Sequence, residues 1–491
     1  MPAGEWGPIV FATDSTSPVL SRALQRGTLR RLARGIYTGD TISAPEAIIR
    51  QHLLPIVAHE YPGAVVADRS VPDAGVTVDG ALFIVHPRRR PVVLPGVVIY
   101  PRLGPGHIEG DMPWPDDLWF SSRERALLDN LVVARPKAQI RRTLDQTEFE
   151  EWLERLLQDR GAEGLNQLRD RARRIAAELG REKQMKQLDR LISGALLTRD
   201  DVEAISPAFV ARLAGVPYDE ERIERFVGLA RYLADTAPAP NPALPVDAGR
   251  RRLLPFYEAY FSNFIEGTVF ELDEAAKIVF EGVVPSDRPA DAHDVLGTYE
   301  IVSDPDEMRH TPSDPDELEA LLLARHAVLM ANRPEMNPGH WKTQNNRAGS
   351  TVFVAWELVQ GTLRRGFEVG EILTDPFARA VFMMFLVAEV HPFTDGNGRI
   401  ARVMMNAELE TAGEVRIIIP TVYRDNYLSA LRGVSFNGNF SSLATTLDFA
   451  RRWTARVDFT DRERAESDLR RTNALRDSGE AEQAGVRLIL P

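Results

Sequence analysis

The chain has 491 residues, 44% of them hydrophobic and 26% charged, a balance that excludes a mainly disordered or collagen-like protein and leaves room for about three domains at ~150 residues each. It contains no cysteine, so disulfides, thiolate catalysis and cysteine-ligated metals are excluded, and the chemistry must rest on oxygen and nitrogen groups. The net charge of −12 argues against broad nucleic-acid wrapping, although a local cationic patch can still bind phosphate.

The first residues, MPAGEWGPIV, lack a basic segment followed by an apolar core, and no later run approaches the ~20 apolar residues that cross a bilayer. A cytoplasmic protein without membrane contact is expected. In residues 17–39, Leu20, Leu24 and Leu29 recur at helical spacing, and Ile36 and Tyr37 follow Gly35. Arg22, Arg26, Arg30, Arg31 and Arg34 make this stretch basic. A helix, a turn and a short hairpin outline a winged helix whose arginines reach a phosphate backbone, which makes DNA a candidate partner of residues 1–60. An arginine-rich solvated helix with no DNA partner is the competing reading. The run LQRGTLRRLARGIYTG also resembles the N-terminal winged-helix region of abortive-infection type antitoxins.

Short β-rich runs punctuated by glycine and proline fill residues 63–103 and predict a small α/β unit over 61–135. Residues 136–235 read as a helical region, with Trp152, Leu153, Leu156 and Leu157 on one side of an amphipathic helix. Four prolines between residues 236 and 250 forbid regular helix and mark a linker. Residues 251–460 read as one helical unit with a hairpin near 341–354, and residues 461–491 as a C-terminal helix and tail.

The chemistry concentrates in HPFTDGNGRIAR, residues 391–402. Upstream, Asp375 and Pro376 are an N-cap and first-turn pair before a run that is apolar nearly all round; downstream, Ile400, Val403, Met404 and Ala407 recur at helical spacing. A buried helix, a tight polar loop and a second helix result. Gly396 and Gly398 leave the loop without side-chain bulk, so its amides and the helix N-terminus can close around an anion. Arg399 and Arg402 project from one side of the new helix and can grip phosphate oxygens. Asp395, a lone carboxylate beside polyphosphate, suits Mg²⁺. His391 at the mouth is the natural group to take a proton from an attacking hydroxyl.

These residues resemble the Fic family, whose motif H-P-F-x-[DE]-G-N-G-R-x-x-R is met at every fixed position from His391 to Arg402. The resemblance implies a mainly α protein: an all-helical Fic core with a β-hairpin flap, preceded here by a winged-helix-like and α/β N-terminal region. It implies that His391 is the general base, that Asp395 binds Mg²⁺, that Gly396, Asn397 and Gly398 form an anion hole, and that Arg399 and Arg402 hold the phosphates of ATP. Phe393 would point into the core. FSNFIEGT matches the family's inhibitory motif [ST]-x-x-x-E-[GN] at Ser262, Glu266 and Gly267, with Pro255 able to start that helix and Gly267 to end it. By resemblance Glu266 would pair with Arg402 and deny it to the γ-phosphate. The flap over 339–354 would clamp a target chain by strand addition, although AGS stands where two adjacent glycines are frequent. Tyr423 and Tyr427 are candidates for the adenine pocket, with core packing as the alternative.

The implied function is a protein adenylyltransferase that moves AMP from Mg-ATP to a serine, threonine or tyrosine hydroxyl of a protein target, restrained by Glu266. Removal of AMP by the same site and a toxin–antitoxin type regulator with a DNA-binding N-terminal domain are the alternatives. A homodimer is left open.

Overall fold

The computed structural model describes residues 6–13, 17–134, 140–236, 238, 240–241 and 248–491, and the chain divides into two compact units at Gly215 and Val216. Most of the proline-rich linker expected over 236–250 lies outside the described residues. No helix among the described residues is long and apolar enough to cross a membrane.

The first unit opens with β1 (Val10–Phe11), α1 (Ser17–Gln25), β2 (Arg30–Ala33) and β3 (Ile36–Thr38). The strands form an antiparallel sheet in the order β1-β3-β2, and Leu20 and Ala23 of α1 bury against it with Leu29. Gly35, at φ 80°, makes the turn between β2 and β3. Next come α2 (Pro45–Gln51), α3 (Leu53–Glu60), β4 (Val65–Val66), β5 (Ala81–Val85), β6 (Val92–Leu94), β7 (Val97–Arg102), β8 (Met112–Trp114) and β9 (Leu118–Phe120). These strands form a mixed sheet in the order β6-β7-β5-β4-β9-β8, with β5–β7 and β4–β9 parallel. The sheet runs past residue 103, where the sequence pattern ends. Met112–Trp114 contains a proline and no β-branched residue, so its place on the sheet edge comes from pairing with β9 through a turn at Asp116 and Asp117, both at positive φ. α4 (Arg123–Asn130), α5 (Gln146–Ile175), α6 (Glu182–Ala195) and α7 (Pro207–Leu213) complete the unit around a core that includes Trp152, Leu153 and Leu156. A capping box of Asp145 and Glu148 starts α5.

The second unit comprises α8 (Glu220–Thr236), α9 (Ala248–Ile265), α10 (Leu272–Glu281), α11 (Pro289–Ser303), α12 (Pro315–Leu329), a hairpin of β10 (Arg347–Ala348) and β11 (Thr351–Val352), then α13 (Val359–Gly370), α14 (Pro376–Val390), α15 (Asn397–Thr411), α16 (Arg424–Asn437), α17 (Phe440–Arg456), α18 (Arg462–Arg471) and α19 (Ser478–Gln483). The protein is therefore mainly α, with a small winged-helix-like and α/β region before the helical unit. α14 is buried nearly all round, as its apolar sequence requires, and Asp375 caps it by accepting from the Ala378 N–H at 2.9 Å. α8, grouped on sequence with the preceding helical region, packs in this unit because Phe226, Leu229 and Leu233 join the core around α14.

α9 begins at Ala248, so Pro255 lies inside it rather than at its start. Proline costs an interior helix one hydrogen bond, and burial of Leu253, Phe256, Tyr257 and Phe261 in a second core offsets that loss. α18 and α19, in the stretch read as a C-terminal helix and tail, belong to that core through Ala465, Leu469 and Ala481; Arg and Glu dominate their sequence and obscure the small buried face.

Candidate active site

α14 stops at His391, which takes the left-handed conformation at φ 54° and donates its backbone N–H to the Val387 carbonyl at 3.0 Å. Gly396, at φ 77°, is the N-cap of α15, and a Cβ there would lie 3.0 Å from Leu329 and 3.1 Å from the Met330 sulfur. Asn397 is buried and stitches the loop shut: its Oδ1 accepts from the Phe393 N–H at 2.8 Å and its Nδ2 donates to the Phe393 carbonyl at 2.9 Å. That side chain is thus spent on the loop, leaving only its backbone amide for an anion. No side chain caps α15. Its first-turn amides, with the positive end of the helix dipole, are free to meet negative charge.

His391 is half-buried, with Nδ1 3.3 Å from the Ala388 carbonyl. A carbonyl can only accept, so the proton is assigned to Nδ1 and Nε2 carries the lone pair. One face of the ring stacks on Phe353, just beyond β11, at 3.6 Å between centroids. Burial pushes the imidazole pKa down to about 4, and Lys342 adds to the shift; the Ala388 carbonyl, Glu266 and Asp395 oppose it. The ring is neutral near pH 7 and able to accept a proton.

Phe393 is fully buried between His326 and Trp341, with ring centroids 3.8 Å and 5.2 Å away. His326 Nδ1 accepts from the Gly339 N–H at 3.0 Å, which leaves Nε2–H to donate to the Asp395 carbonyl at 3.2 Å. Lys342, also buried, donates to Asn346 Oδ1 at 2.7 Å, and desolvation lowers its pKa to about 7.

Asp395 keeps a side chain 46% exposed; one oxygen accepts from the Gly396 N–H at 2.7 Å, and the other is 3.6 Å from Arg399 Nη2. Arg399 and Arg402 have different partners. Arg399 is buried against Asp294, Nη1 to Oδ2 at 2.9 Å, and Asp294 in turn holds Arg333 at 2.7 Å. Arg402 donates to Ser262 Oγ at 2.9 Å, to the Ser262 carbonyl at 2.8 Å and to Glu266 Oε1 at 2.7 Å. Burial works against its charge, but Glu266 and Tyr427 together more than compensate, and its pKa is raised. Gly267, at φ 93°, follows directly and turns the chain away from α9.

The position of Glu266 is set by a missing side chain. A Cβ on Gly398 would lie 2.1 Å from Glu266 Oε1 and 3.1 Å from Arg402 Nη1. The carboxylate therefore lies directly over the start of α15, where an anion would bind. Around it opens a cleft of about 480 Å³ whose walls include His391, Gly398, Arg402, Phe353, Tyr427 and Glu389. Tyr427 is buried with its hydroxyl 3.3 Å from Met384 Sδ, whereas Tyr423 packs on Phe449, away from these walls.

His326, Asp294 and Phe353 do not stand out in the sequence. Each meets the loop only through the fold, and no spacing signal connects residues 38 to 97 positions apart. Lys342 carried a faint mark as one of few lysines in an arginine-rich chain.

Fold and site together define a class: a helical domain that presents an anion cradle at a glycine-capped helix beside a neutral imidazole. Residues 315–409, within the second unit, match the model of the Fic/DOC family. The chain is 25% identical over 189 residues to protein adenylyltransferase fic-1 of Caenorhabditis elegans, a match covering 36% of each chain. It is 27% identical over 208 residues to protein adenylyltransferase Fic of Nematostella vectensis, covering 41% of this chain and 47% of that one. The matches thus span less than half the length of these relatives. A solved structure of Fic-1 from C. elegans overlays with a TM-score of 0.35 at 17% identity, covering 71% of this chain and 97% of that one.

Proposed function

We propose that the second unit is a protein adenylyltransferase restrained by its own Glu266. The observation that carries this reading is the arrangement around Gly398: an uncapped helix N-terminus, an arginine and a neutral imidazole face one cleft, with a carboxylate in the anion's seat. The names of the relatives, protein adenylyltransferases in worm and sea anemone, support it.

In this reading ATP lays its phosphates on the first turn of α15. A serine, threonine or tyrosine hydroxyl of a protein target enters beneath the β10–β11 hairpin, and His391 Nε2 takes its proton. The hydroxyl oxygen forms a bond to the α-phosphorus as the bond to the β-phosphate oxygen breaks, and pyrophosphate leaves. The half-exposed Asp395 fits Mg²⁺, whose usual shell near polyphosphate is one or two carboxylates plus phosphate and water. Bound there, Mg²⁺ would neutralise phosphate charge. Arg402 would serve the outer phosphates once freed from Glu266, while Arg399, fixed by Asp294, would brace the Asp395 loop. The need for ATP agrees with a cytoplasmic location.

The test is labelling by α-labelled ATP. Glu266→Gly should raise incorporation into protein by about 10–100-fold, the equivalent of one charge-assisted contact of 1.5–3 kcal/mol. Adding His391→Ala should abolish it; labelling that survives the loss of His391 would defeat the assignment. Release of AMP from modified protein, dependent on Glu266, would favour the reverse reaction instead.

A second reading concerns the first unit alone. Arg22, Arg26, Arg31 and Arg34 are exposed on or beside α1 and the β2–β3 hairpin, and their segment contains no acidic residue. That charge pattern suits a DNA backbone. Binding of duplex DNA that weakens with salt and is lost in Arg30→Ala/Arg31→Ala would support it; no binding at low salt would refute it.

A further inference from the structure

Glu389 is a carboxylate only 3% exposed, inside the apolar helix α14 and two residues before His391. Burying a carboxylate is costly unless it is held by partners, and ion pairs in such places often fix geometry more than they add stability. Its partners come from two helices. Arg225 of α8 donates a hydrogen bond at 2.7 Å, and Arg222, one turn earlier, forms an ion pair with its Nε 3.0 Å away but out of hydrogen-bond alignment, while Ser435 of α16 donates its hydroxyl to the other oxygen.

Arg225 ends its reach there and at Glu221. Arg222 goes further: its Nη2 donates to the Val352 carbonyl at 2.7 Å. Val352 ends β11, and the next residue is Phe353, whose ring lies on the His391 imidazole at 3.6 Å and 6°. A single guanidinium thus spans the catalytic helix and the flap. The hairpin's strands are two residues each, their side chains mostly exposed, and its base is tied to the loop by Asn346, which donates to the Phe393 carbonyl at 3.0 Å.

We propose that Arg222 is a positioning residue that locks the flap in register over the catalytic centre by bridging Glu389 to the Val352 carbonyl and so seating Phe353 on His391. The proposal rests on the adenylyltransferase reading for its purpose, since the seated flap is the edge along which a target chain would lie and the stacked ring limits the directions in which the imidazole can turn. Arg222 lies outside residues 315–409, the segment that matches the family, whereas Glu389 and Val352 lie within it.

Two measurements on the full-length chain test it without relying on turnover. Hydrogen exchange of residues 346–353 should become about tenfold faster in Arg222→Met, with exchange of α14 and α15 unchanged. In spectra of histidine-labelled protein, the His391 signal should carry the ring-current displacement of Phe353, identified by its loss in Phe353→Leu. Arg222→Met should lose most of that displacement, and Arg222→Lys should restore part of it. Arg225→Met is the control, because it removes an equal charge from Glu389 without touching the flap: it should lower the melting temperature yet leave flap exchange and the His391 signal as in the wild type. If Arg225→Met changes both readouts as much as Arg222→Met, or if Arg222→Met changes neither, the clamp is refuted. Absence of any AMP transfer by the Glu266→Gly chain would sink the proposed reaction instead, leaving these readouts to decide the clamp.

Discussion

At Gly398 the absence of one carbon makes room for a carboxylate. Glu266 Oε1 occupies space that a Cβ would contest at 2.1 Å, and in the proposed reaction phosphate would need the same space. Gly398→Ala should therefore break the Glu266–Arg402 pair without releasing activity, since the methyl group also blocks the cradle. Calorimetry with Mg-ATP should show weakened binding in Gly398→Ala and strengthened binding in Glu266→Gly. His391 sets the pH response. Its imidazole, depressed to about 4, stays neutral above that pH, so transfer by the Glu266→Gly chain should not fall between pH 7 and pH 5 for want of a base. Initial rates falling with a midpoint near 6.5, the ordinary histidine value, would contradict the buried, stacked ring. His391, Asp395, Gly396 and Gly398 were legible in the sequence because their chemistry is contiguous. The different partners of Arg399 and Arg402 were not, because they come from Asp294 and Glu266, 105 and 136 residues earlier in the chain.

Among the elements, α12 and α14 each end in or near a histidine that the fold keeps uncharged. Burial holds the pKa of His326 at about 4, as it does that of His391. In the unfolded chain both return toward 6.5, so between pH 6.5 and 4 the unfolded state binds the extra protons. Stability should then decline as pH falls through that window, by about 1.4 kcal/mol per unit for each ring. Thermal melts at pH 7 and pH 5 should show the loss, and His326→Gln should make the profile shallower. α9 makes a different demand. A Cβ on Gly249 in its first turn would lie 1.7 Å from the Thr460 carbonyl oxygen, so Gly249→Ala must separate two stretches of backbone and should cost about 1–3 kcal/mol, read as a lower melting temperature. Helices with strong apolar spacing, α14 and α15 above all, were readable in advance. The start of α9 and the β8–β9 pair were not: Pro255 and Pro113 speak locally for a break, and tertiary packing or strand pairing overrides them.

Across the whole molecule, the segment that identifies the family is smaller than the body that makes it work. Residues 315–409 contain His391, the Gly396–Gly398 turn and the β10–β11 hairpin, the parts to which the proposed reaction gives the chemistry. The core under them includes Phe226 and Leu229 from one side of that segment and Leu443, Leu447 and Ala450 from the other. Asp294 and Arg222 likewise come from earlier helices, and Glu266 from the turn that follows α9. A polypeptide trimmed to 315–409 would therefore bare one side of α14 to water, leave Arg399 and Glu389 buried without their counter-ions and free the hairpin from its anchor. Such a fragment should be recovered as an aggregate or a molten species, whereas residues 216–491 should melt cooperatively. Excising the recognisable motif thus discards the machinery that restrains it.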